Sequence, residues 1–122
     1  MSTREVGALG EKIAVLYLKK SGYKILETNF ATNFGEIDII AKDKKAIAFI
    51  EVKLRRTAEF GMPAEAVDKR KQTKIIKAAL GYIKLNKFSE EIVRFDVLAM
   101  GPGQDDIELI KDAFWASERY TL

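Results

Sequence analysis

The sequence predicts an α/β fold in which a mixed β-sheet is flanked by helices. Two segments carry apolar residues at helical spacing, and five shorter segments are rich in β-branched and aromatic residues. Their order along the chain is helix, three strands, helix, strand, strand, which is typical of helices packed on a sheet. The length of 122 residues fits one domain, so we assign residues 1–122 to a single unit.

The first predicted helix runs from about Glu5 to Ser21, and Gly22 is placed to end it. The segment "YKILETNF" follows as the first strand. One apolar stripe of the helix consists of Val6, Leu9, Ile13, Leu16 and Tyr17.

The stretch "GEIDIIAKDKKAIAFIEVKLRR", residues 35–56, predicts two further strands around a polar turn at residues 42–45. After a loop containing "FGMP", a second helix is expected from about Ala64 or Asp68 to Leu85. The segment "EIVRFDVLAM" predicts another strand. The turn residues "GPGQDD" then precede a short last strand at Ile107–Ile110.

The composition excludes several kinds of chemistry. The chain has no cysteine and no histidine. It therefore cannot form disulfides, thiolate nucleophiles, Ser-His triads or the usual Cys/His zinc sites. Any catalysis must come from carboxylates, lysines, hydroxyls and a hard metal ion. The net charge of +3 is a mild indication of an anionic partner.

The sequence also indicates where the protein resides. No apolar stretch approaches the ~18 residues of a membrane span, and "MSTREVGALGEK" has neither the apolar run nor the cleavage site of a signal peptide. We therefore expect a cytoplasmic protein without a membrane partner.

Two acids and a lysine interrupt the apolar pattern of the 35–56 stretch. A turn centred on Asp43 and Lys44 would pair residues whose numbers sum to 87, which makes Asp38 and Glu51 diagonal neighbours on one face with Lys53. Their Cβ atoms would lie roughly 7 to 8 Å apart, a span that one metal ion can bridge.

The second of these strands is apolar on both faces, which predicts a central strand. Unpaired charges there would cost several kcal/mol, and such a cost is tolerated mainly where a metal or a reaction uses the charge. The alternative is a solvated strand end at which Glu51 and Lys53 pair with neighbouring side chains.

Both helices place polar residues at the head of an apolar stripe. Glu11 lies in line with Ala14 and Leu18, and an acid belongs there if something binds it. Lys69 and Gln72 head a stripe continued by Ile75, Ile76, Ala79 and Ile83. Alternatively, these are end-of-helix residues whose polar groups reach water.

Basic residues surround this predicted cleft. The segment "KRKQTKIIK", residues 69–77, has five basic residues among nine and no acid. Such a cluster suits backbone phosphates, although a solvated helix face is the alternative. The residues expected to contact nucleic acid are Arg55, Arg56, Lys69, Lys71, Gln72 and Lys74.

Six segments along the chain carry a resemblance to a known family: "GALGEKIA", "GEIDII", "FIEVKLRR", "FGMPAEAV", "AALGYI" and "VRFDVLAM". Together they resemble the YraN-type family of little-characterised bacterial proteins, from about Gly7 to Phe114. Its members are predicted endonucleases of the PD-(D/E)-x-K superfamily, similar to archaeal Holliday junction resolvases.

The resemblance implies a restriction-endonuclease-like core and assigns roles to individual residues. Asp38 and Glu51 would ligate Mg²⁺ or Mn²⁺ together with the backbone carbonyl of Val52, and Glu11 would add a further acid. Lys53 would position or activate the attacking water. The chain departs from the superfamily signature before Asp38, where Ile37 replaces a proline.

The function that follows is a metal-dependent DNA endonuclease, with branched or structured DNA as the substrate suggested by analogy. One alternative is a nucleic-acid-binding module on a nuclease scaffold with weak or absent catalysis. Another is a protein interaction scaffold whose charges form an internal salt-bridge network. By analogy with the resolvases a homodimer is also expected, but the sequence specifies no interface.

Overall fold

The computed structural model describes residues 2–55, 67–88, 92–103 and 105–115. These ranges contain two helices and five strands in the predicted order, so the α/β prediction is confirmed. Arg56 and most of "FGMPAEAV" lie outside the described residues. The elements are α1 (Thr3–Lys20), β1 (Lys24–Thr32), β2 (Gly35–Asp43), β3 (Ala46–Leu54), α2 (Lys69–Leu85), β4 (Ile92–Met100) and β5 (Ile107–Phe114).

Side-chain caps determine where the helices begin. Ser2 and Glu5 form a capping box at the start of α1, in which each side chain faces the other's backbone N–H. The Asp68 carboxylate accepts a hydrogen bond from the Lys71 N–H at 2.8 Å, so the later of the two predicted starts of α2 is the one described.

The sheet has the order β1-β2-β3-β4-β5. Strand β3 is antiparallel to β2 and parallel to β4, and α2 makes the crossover between the parallel pair. Residues Ala46–Ile50 of β3 are all buried, which confirms the prediction of a central strand.

Each face of the sheet packs against one helix. On the α2 face, Phe49 and Phe95 stack at 5.8 Å between ring centroids, and Tyr82 packs edge-on to Phe49. On the opposite face, Ala14 and Leu18 of α1 pack on a second cluster of buried residues that includes Ile39, Ala48, Ile50 and Leu98.

The predicted register of the β2–β3 hairpin is wrong by two residues. Asp43 pairs with Ala46 and Ile39 with Ile50, so partner numbers sum to 89 and not to 87. The turn residues are therefore Lys44 and Lys45, and Lys44 adopts a left-handed φ of 56°. Because the shift is even, the residues of β3 keep their predicted faces.

Within the described ranges, neither helix combines the length and apolar character required to cross a bilayer.

Candidate functional site

The candidate site lies where β2 and β3 separate. Their backbone pairing is continuous from Asp43 and Ala46 to Ile39 and Ile50. One residue further, the Oδ2 atom of Asp38 accepts a hydrogen bond from the Val52 N–H at 2.9 Å. A side-chain carboxylate thus takes the position that a backbone carbonyl would occupy in a regular ladder.

The carboxyl groups of Asp38 and Glu51 lie within hydrogen-bonding reach of each other. The register explains this, because one more step of the pairing would place the two residues directly opposite, not diagonally. The predicted proximity of the two acids is therefore found, in a closer arrangement than the sequence suggested.

This contact changes the acidity of both groups. Burial raises the pKa of Glu51 to about 7, with the nearby Asp38 charge as the second cause. Burial also raises the pKa of Asp38, although the hydrogen bond from Val52 opposes that shift. The Oε2 atom of Glu51 is buried and has no hydrogen-bond donor among the described residues. The raised pKa of Glu51 means that the pair is not fully ionised at neutral pH, and full ionisation would leave this oxygen uncompensated.

The two acids line different cavities, although the sequence analysis placed them on one face together with Lys53. A cavity of about 230 Å³ is lined by Asp38 together with residues of α1 and β1, and one of about 250 Å³ is lined by Glu51, Lys53 and residues next to α2. The alternation of side chains along β2 is also interrupted beside Asp38. Ile37 and Ile40 pack into the same core although an odd separation should place them on opposite faces.

Glu11 faces the cavity of Asp38 from α1. Its Oε1 atom accepts a hydrogen bond from Asn29 Nδ2 at 2.6 Å. Burial raises the pKa of Glu11, while the Asn29 bond opposes this and the charges of Asp38 and Glu36 add to it. Asn29 was not expected from the sequence. Its signal was an asparagine inside a strand, which here adopts a left-handed φ of 52°.

Two lysines border the cavity of Glu51. Lys53 is exposed, and its charge acts to lower the pKa of the Glu51 carboxyl group. Lys71 approaches more closely, with its Nζ atom 3.9 Å from Glu51 Oε1. Lys71, which the sequence analysis assigned to nucleic-acid contacts, is therefore part of the electrostatic surroundings of the acid pair.

The other residues predicted to contact nucleic acid fall into two groups. Lys69 and Lys74 are exposed on α2. Gln72 is half-buried and donates to the Val67 carbonyl at 2.8 Å, and the guanidinium nitrogens of Arg55 are buried. An exposed basic surface is thus present on α2, whereas Arg55 and Gln72 are held against the protein.

The donor atoms fit a hard divalent ion in part. In the described portion of the chain, no three acidic side chains converge closely enough to form a complete cage. Mg²⁺, however, is commonly bound through one or two carboxylates and keeps several waters. The Asp38–Glu51 pair, with its undonated buried oxygen, meets that lesser requirement.

A second buried charge cluster, which we call the Asp96 network, lies elsewhere in the sheet. Asp96 is fully buried, and its carboxylate accepts hydrogen bonds from Arg94 at 2.9 Å and from the Tyr23 hydroxyl at 3.1 Å. Arg94 also donates to Asp43 at 3.0 Å, and Lys111 donates to Asp43 at 3.2 Å.

The Asp96 network is internally neutralised. Burial alone would raise the pKa of Asp43, but the hydrogen bonds from Arg94 and Lys111 lower it below its usual value. Hydrogen bonding to Asp96 raises the pKa of Arg94, which stays charged. The sequence analysis did not single out this cluster, although Arg94 and Asp96 interrupt an apolar strand with the same i, i+2 spacing as Glu51 and Lys53.

Comparison with known proteins gives consistent matches along most of the chain. The sequence profile of the uncharacterised protein family UPF0102 matches residues 10–100. A UPF0102 protein of Caldanaerobacter subterraneus subsp. tengcongensis is 47% identical over 111 residues, which cover 91% of each chain. A UPF0102 protein of Fusobacterium nucleatum is 47% identical over 119 residues, covering 97% of this chain and 98% of the relative. A third, from Thermodesulfovibrio yellowstonii, is 51% identical over 115 residues, covering 94% of this chain and all (100%) of the relative.

Proposed function

The chain belongs to the uncharacterised protein family UPF0102, as the resemblance to YraN-type proteins predicted, and from this premise we propose that it is a metal-dependent DNA endonuclease. The proposed reaction is hydrolysis of phosphodiester bonds, with branched or structured DNA included among the substrates. The single observation that carries the proposal is the contact between the half-buried carboxyl groups of Asp38 and Glu51.

Three properties of that contact support a role in binding a cation. The Glu51 oxygen without a donor is a site where a positive charge would be stabilised. The pKa of Glu51 near 7 means that a bound cation would favour loss of its proton at neutral pH. The two carboxylates lie directly beyond the last paired residues of adjacent strands, and the hydrogen bond from the Val52 N–H holds Asp38 before any ligand binds.

The proposed roles divide among the residues as follows. A divalent ion held by Asp38 and Glu51, with Val52 and Glu11 as further candidate ligands, would polarise the scissile phosphate and acidify a bound water. The hydrogen bond from Asn29 keeps Glu11 turned toward the Asp38 cavity. Lys53 stands beside Glu51, where its ammonium group would attract the phosphate or, once neutral, accept a proton from water.

The exposed lysines of α2 would hold the DNA backbone. Lys69, Lys71 and Lys74 lie on the helix that borders the Glu51 cavity. Contacts of this type are electrostatic, so the affinity should fall steeply with salt and depend little on base sequence.

The test is a cleavage assay on linear duplex, flap and four-way DNA with Mg²⁺, Mn²⁺ or a chelator. We expect metal-dependent nicking by the wild type and at least about a 100-fold loss in Asp38→Asn and Lys53→Met, each with DNA binding retained. The matched controls are Glu27→Gln and Lys24→Met, which change an exposed acid and an exposed lysine of β1. They should cleave as the wild type does.

The competing functions give different results in the same assay. A binding module would bind DNA in a salt-sensitive manner and cleave no substrate with either metal. An interaction scaffold would neither bind nor cleave, and Asp38→Asn would alter only the stability of the protein. Equal cleavage by the wild type and Asp38→Asn would overturn the proposal.

A further inference from the structure

Helix α1 presents two apolar stripes, and the sheet covers only one of them. The covered stripe contains Gly10, Ala14 and Leu18, all of which are buried. In the stripe that the sequence analysis named first, Tyr17 is half-buried against the sheet and the other four residues are exposed. Their exposed fractions are Val6 44%, Leu9 47%, Ile13 39% and Leu16 59%. Single exposed apolar residues are ordinary, but four on one helix face form a contiguous patch of the kind that marks an interaction site.

The spacing of the exposed stripe indicates what kind of surface it would fit. Val6, Leu9, Ile13 and Leu16 follow one another at intervals of three, four and three residues. This is the a/d pattern of a coiled-coil seam, in which each apolar side chain inserts between residues of a facing helix. A helix face of this spacing fits a second helix, and the charges beside it indicate which helix that would be.

The covered stripe meets the end of β3 closely. A Cβ atom placed on Gly10 would lie 3.1 Å from Leu54 Cδ2, so the helix passes very close to the end of β3 at this glycine. Leu54 contacts the covered stripe and not the exposed one, although its own side chain is 44% exposed.

The charges beside the stripe favour a second copy of this chain as the occupant. Glu5 and Lys19 flank the same side of the stripe and lie two heptads apart, near opposite ends of the helix. Two antiparallel copies of α1 would bring Glu5 of each copy next to Lys19 of the other. In a parallel pair Glu5 would face the uncharged Gly10 of the other copy and Lys19 would face no residue of the helix, so neither charge would gain a partner.

We propose that this exposed stripe of α1 is the interface through which two copies of the chain form an antiparallel, two-fold dimer. The pairing that centres the stripe places Val6 against the second copy's Leu16 and Leu9 against the second copy's Ile13. Every contact then occurs twice, as two-fold symmetry requires. Lys12 of each copy would lie near the axis, where its long stem lets the ammonium group reach water. The inference is independent of the proposed cleavage chemistry and also applies to an inactive protein.

The first test measures the mass in solution by light scattering coupled to size exclusion, over about 1 to 200 µM. The wild type should reach the dimer mass, and Leu9→Glu and Ile13→Glu should remain monomeric with an unchanged circular dichroism spectrum, since both side chains are already exposed. The matched control is Leu85→Glu at the end of α2, where the leucine is 73% exposed. It should dimerise as the wild type does.

The second test addresses the orientation of the pair. Lys19→Glu should weaken the dimer several-fold, and adding Glu5→Lys should recover part of that loss; the recovery is partial because Glu5→Lys also removes the capping box of α1. The chain has no cysteine, so mixing Leu9→Cys with Ile13→Cys protein offers one disulfide between copies. An antiparallel pair predicts that the mixed disulfide forms faster than either homodimer disulfide.

Three outcomes would overturn the proposal. The first is a wild type that stays monomeric throughout the concentration range. The second is a dimer that persists in both Leu9→Glu and Ile13→Glu, because the interface would then lie elsewhere. The third is preferential cross-linking of identical cysteines, which would indicate a parallel arrangement.

Discussion

The Asp96 network, with its fully buried aspartate, and the half-buried Asp38–Glu51 pair are two charge clusters in one sheet, and they differ in how the charge is compensated. In the network, each carboxylate receives hydrogen bonds from Arg94 at 2.9 to 3.0 Å, and Asp96 also receives a bond from Tyr23. In the pair, two carboxyl groups interact with each other, and the ion pair that reaches them is a long one, with Lys71 Nζ 3.9 Å from Glu51 Oε1.

The difference separates charge that stabilises a fold from charge that is available to a ligand. A buried carboxylate surrounded by hydrogen-bond donors gains little from binding a further cation, because these donors already offset the free-energy cost of its desolvation. A buried pair of like charges lowers stability until a proton or a metal ion joins it. Four measurements on variants test this contrast, in decreasing order of expected effect.

The largest effect is expected from removing the cation of the Asp96 network. Arg94→Met leaves the fully buried Asp96 carboxylate without its guanidinium partner, so we expect a loss of about 3 to 5 kcal/mol in the free energy of unfolding. Urea denaturation at pH 7 measures it. Adding Asp96→Asn to this variant should recover part of the loss. A loss below about 1 kcal/mol would mean that the network is not what neutralises Asp96.

In the Asp38–Glu51 pair, removing a charged group should raise the free energy of unfolding, which is the opposite of the effect in the Asp96 network. The folded pKa of Glu51, about 7, exceeds its ordinary value of 4.5, so wild-type stability falls as the pH rises through this interval. Glu51→Gln removes the charge and should be more stable than the wild type by about 2 kcal/mol at pH 8, with the difference vanishing near pH 4. Denaturation curves of both proteins at several pH values measure this. A Glu51→Gln variant less stable at pH 8 than the wild type would contradict the account.

A divalent ion should relieve the same repulsion. At a free Mg²⁺ or Mn²⁺ concentration ten times its Kd, the wild type should gain about 1.4 kcal/mol at pH 8. The gain should shrink at pH 5, where Glu51 holds its proton. Calorimetric melting with and without metal detects the shift, Asp38→Asn should lack it, and Glu27→Gln should keep it. Equal shifts in all three proteins would indicate binding elsewhere.

The smallest effect is expected where the charge partner is exposed. Lys71 and Lys111 have side chains 45% and 52% exposed and pair with acids of the two different clusters. Replacing either with methionine should change the free energy of unfolding by less than about 1 kcal/mol, because solvent screens such pairs. Chemical denaturation of the two variants measures the change. If Lys71→Met lowered the free energy of unfolding by more than about 2 kcal/mol, Lys71 would neutralise Glu51 in the way that we expect Arg94 to neutralise Asp96.

Much of this arrangement could be read from the sequence. The apolar periods of α1, β3 and α2 determined the order of elements, and the interrupted pattern at Asp38 and Glu51 located the acid pair. Local patterns carry such information because burial on each face repeats along the chain.

The hairpin register, the Asp96 network and the orientation of α1 could not be predicted, because they depend on features that no local sequence pattern contains. The hairpin register turned on which residue accepts a left-handed φ, and Lys44 does so although lysine has no special preference for it. The Asp96 network joins Tyr23, Asp43 and Arg94, which are brought together only by the paired strands. Which stripe of α1 meets the sheet was equally undetermined, since both stripes are apolar.

The hydrogen bond from the Val52 N–H to Asp38 gives the site a built-in reporter. This amide hydrogen is held by a side chain and not by the neighbouring backbone, so its exchange with solvent deuterium should follow the ionisation and occupancy of that one carboxylate. Asn, which keeps an acceptor oxygen, should preserve slow exchange at this position, whereas Ala should release it. A single nuclear magnetic resonance signal could therefore follow events at the acid pair without any nucleic acid present.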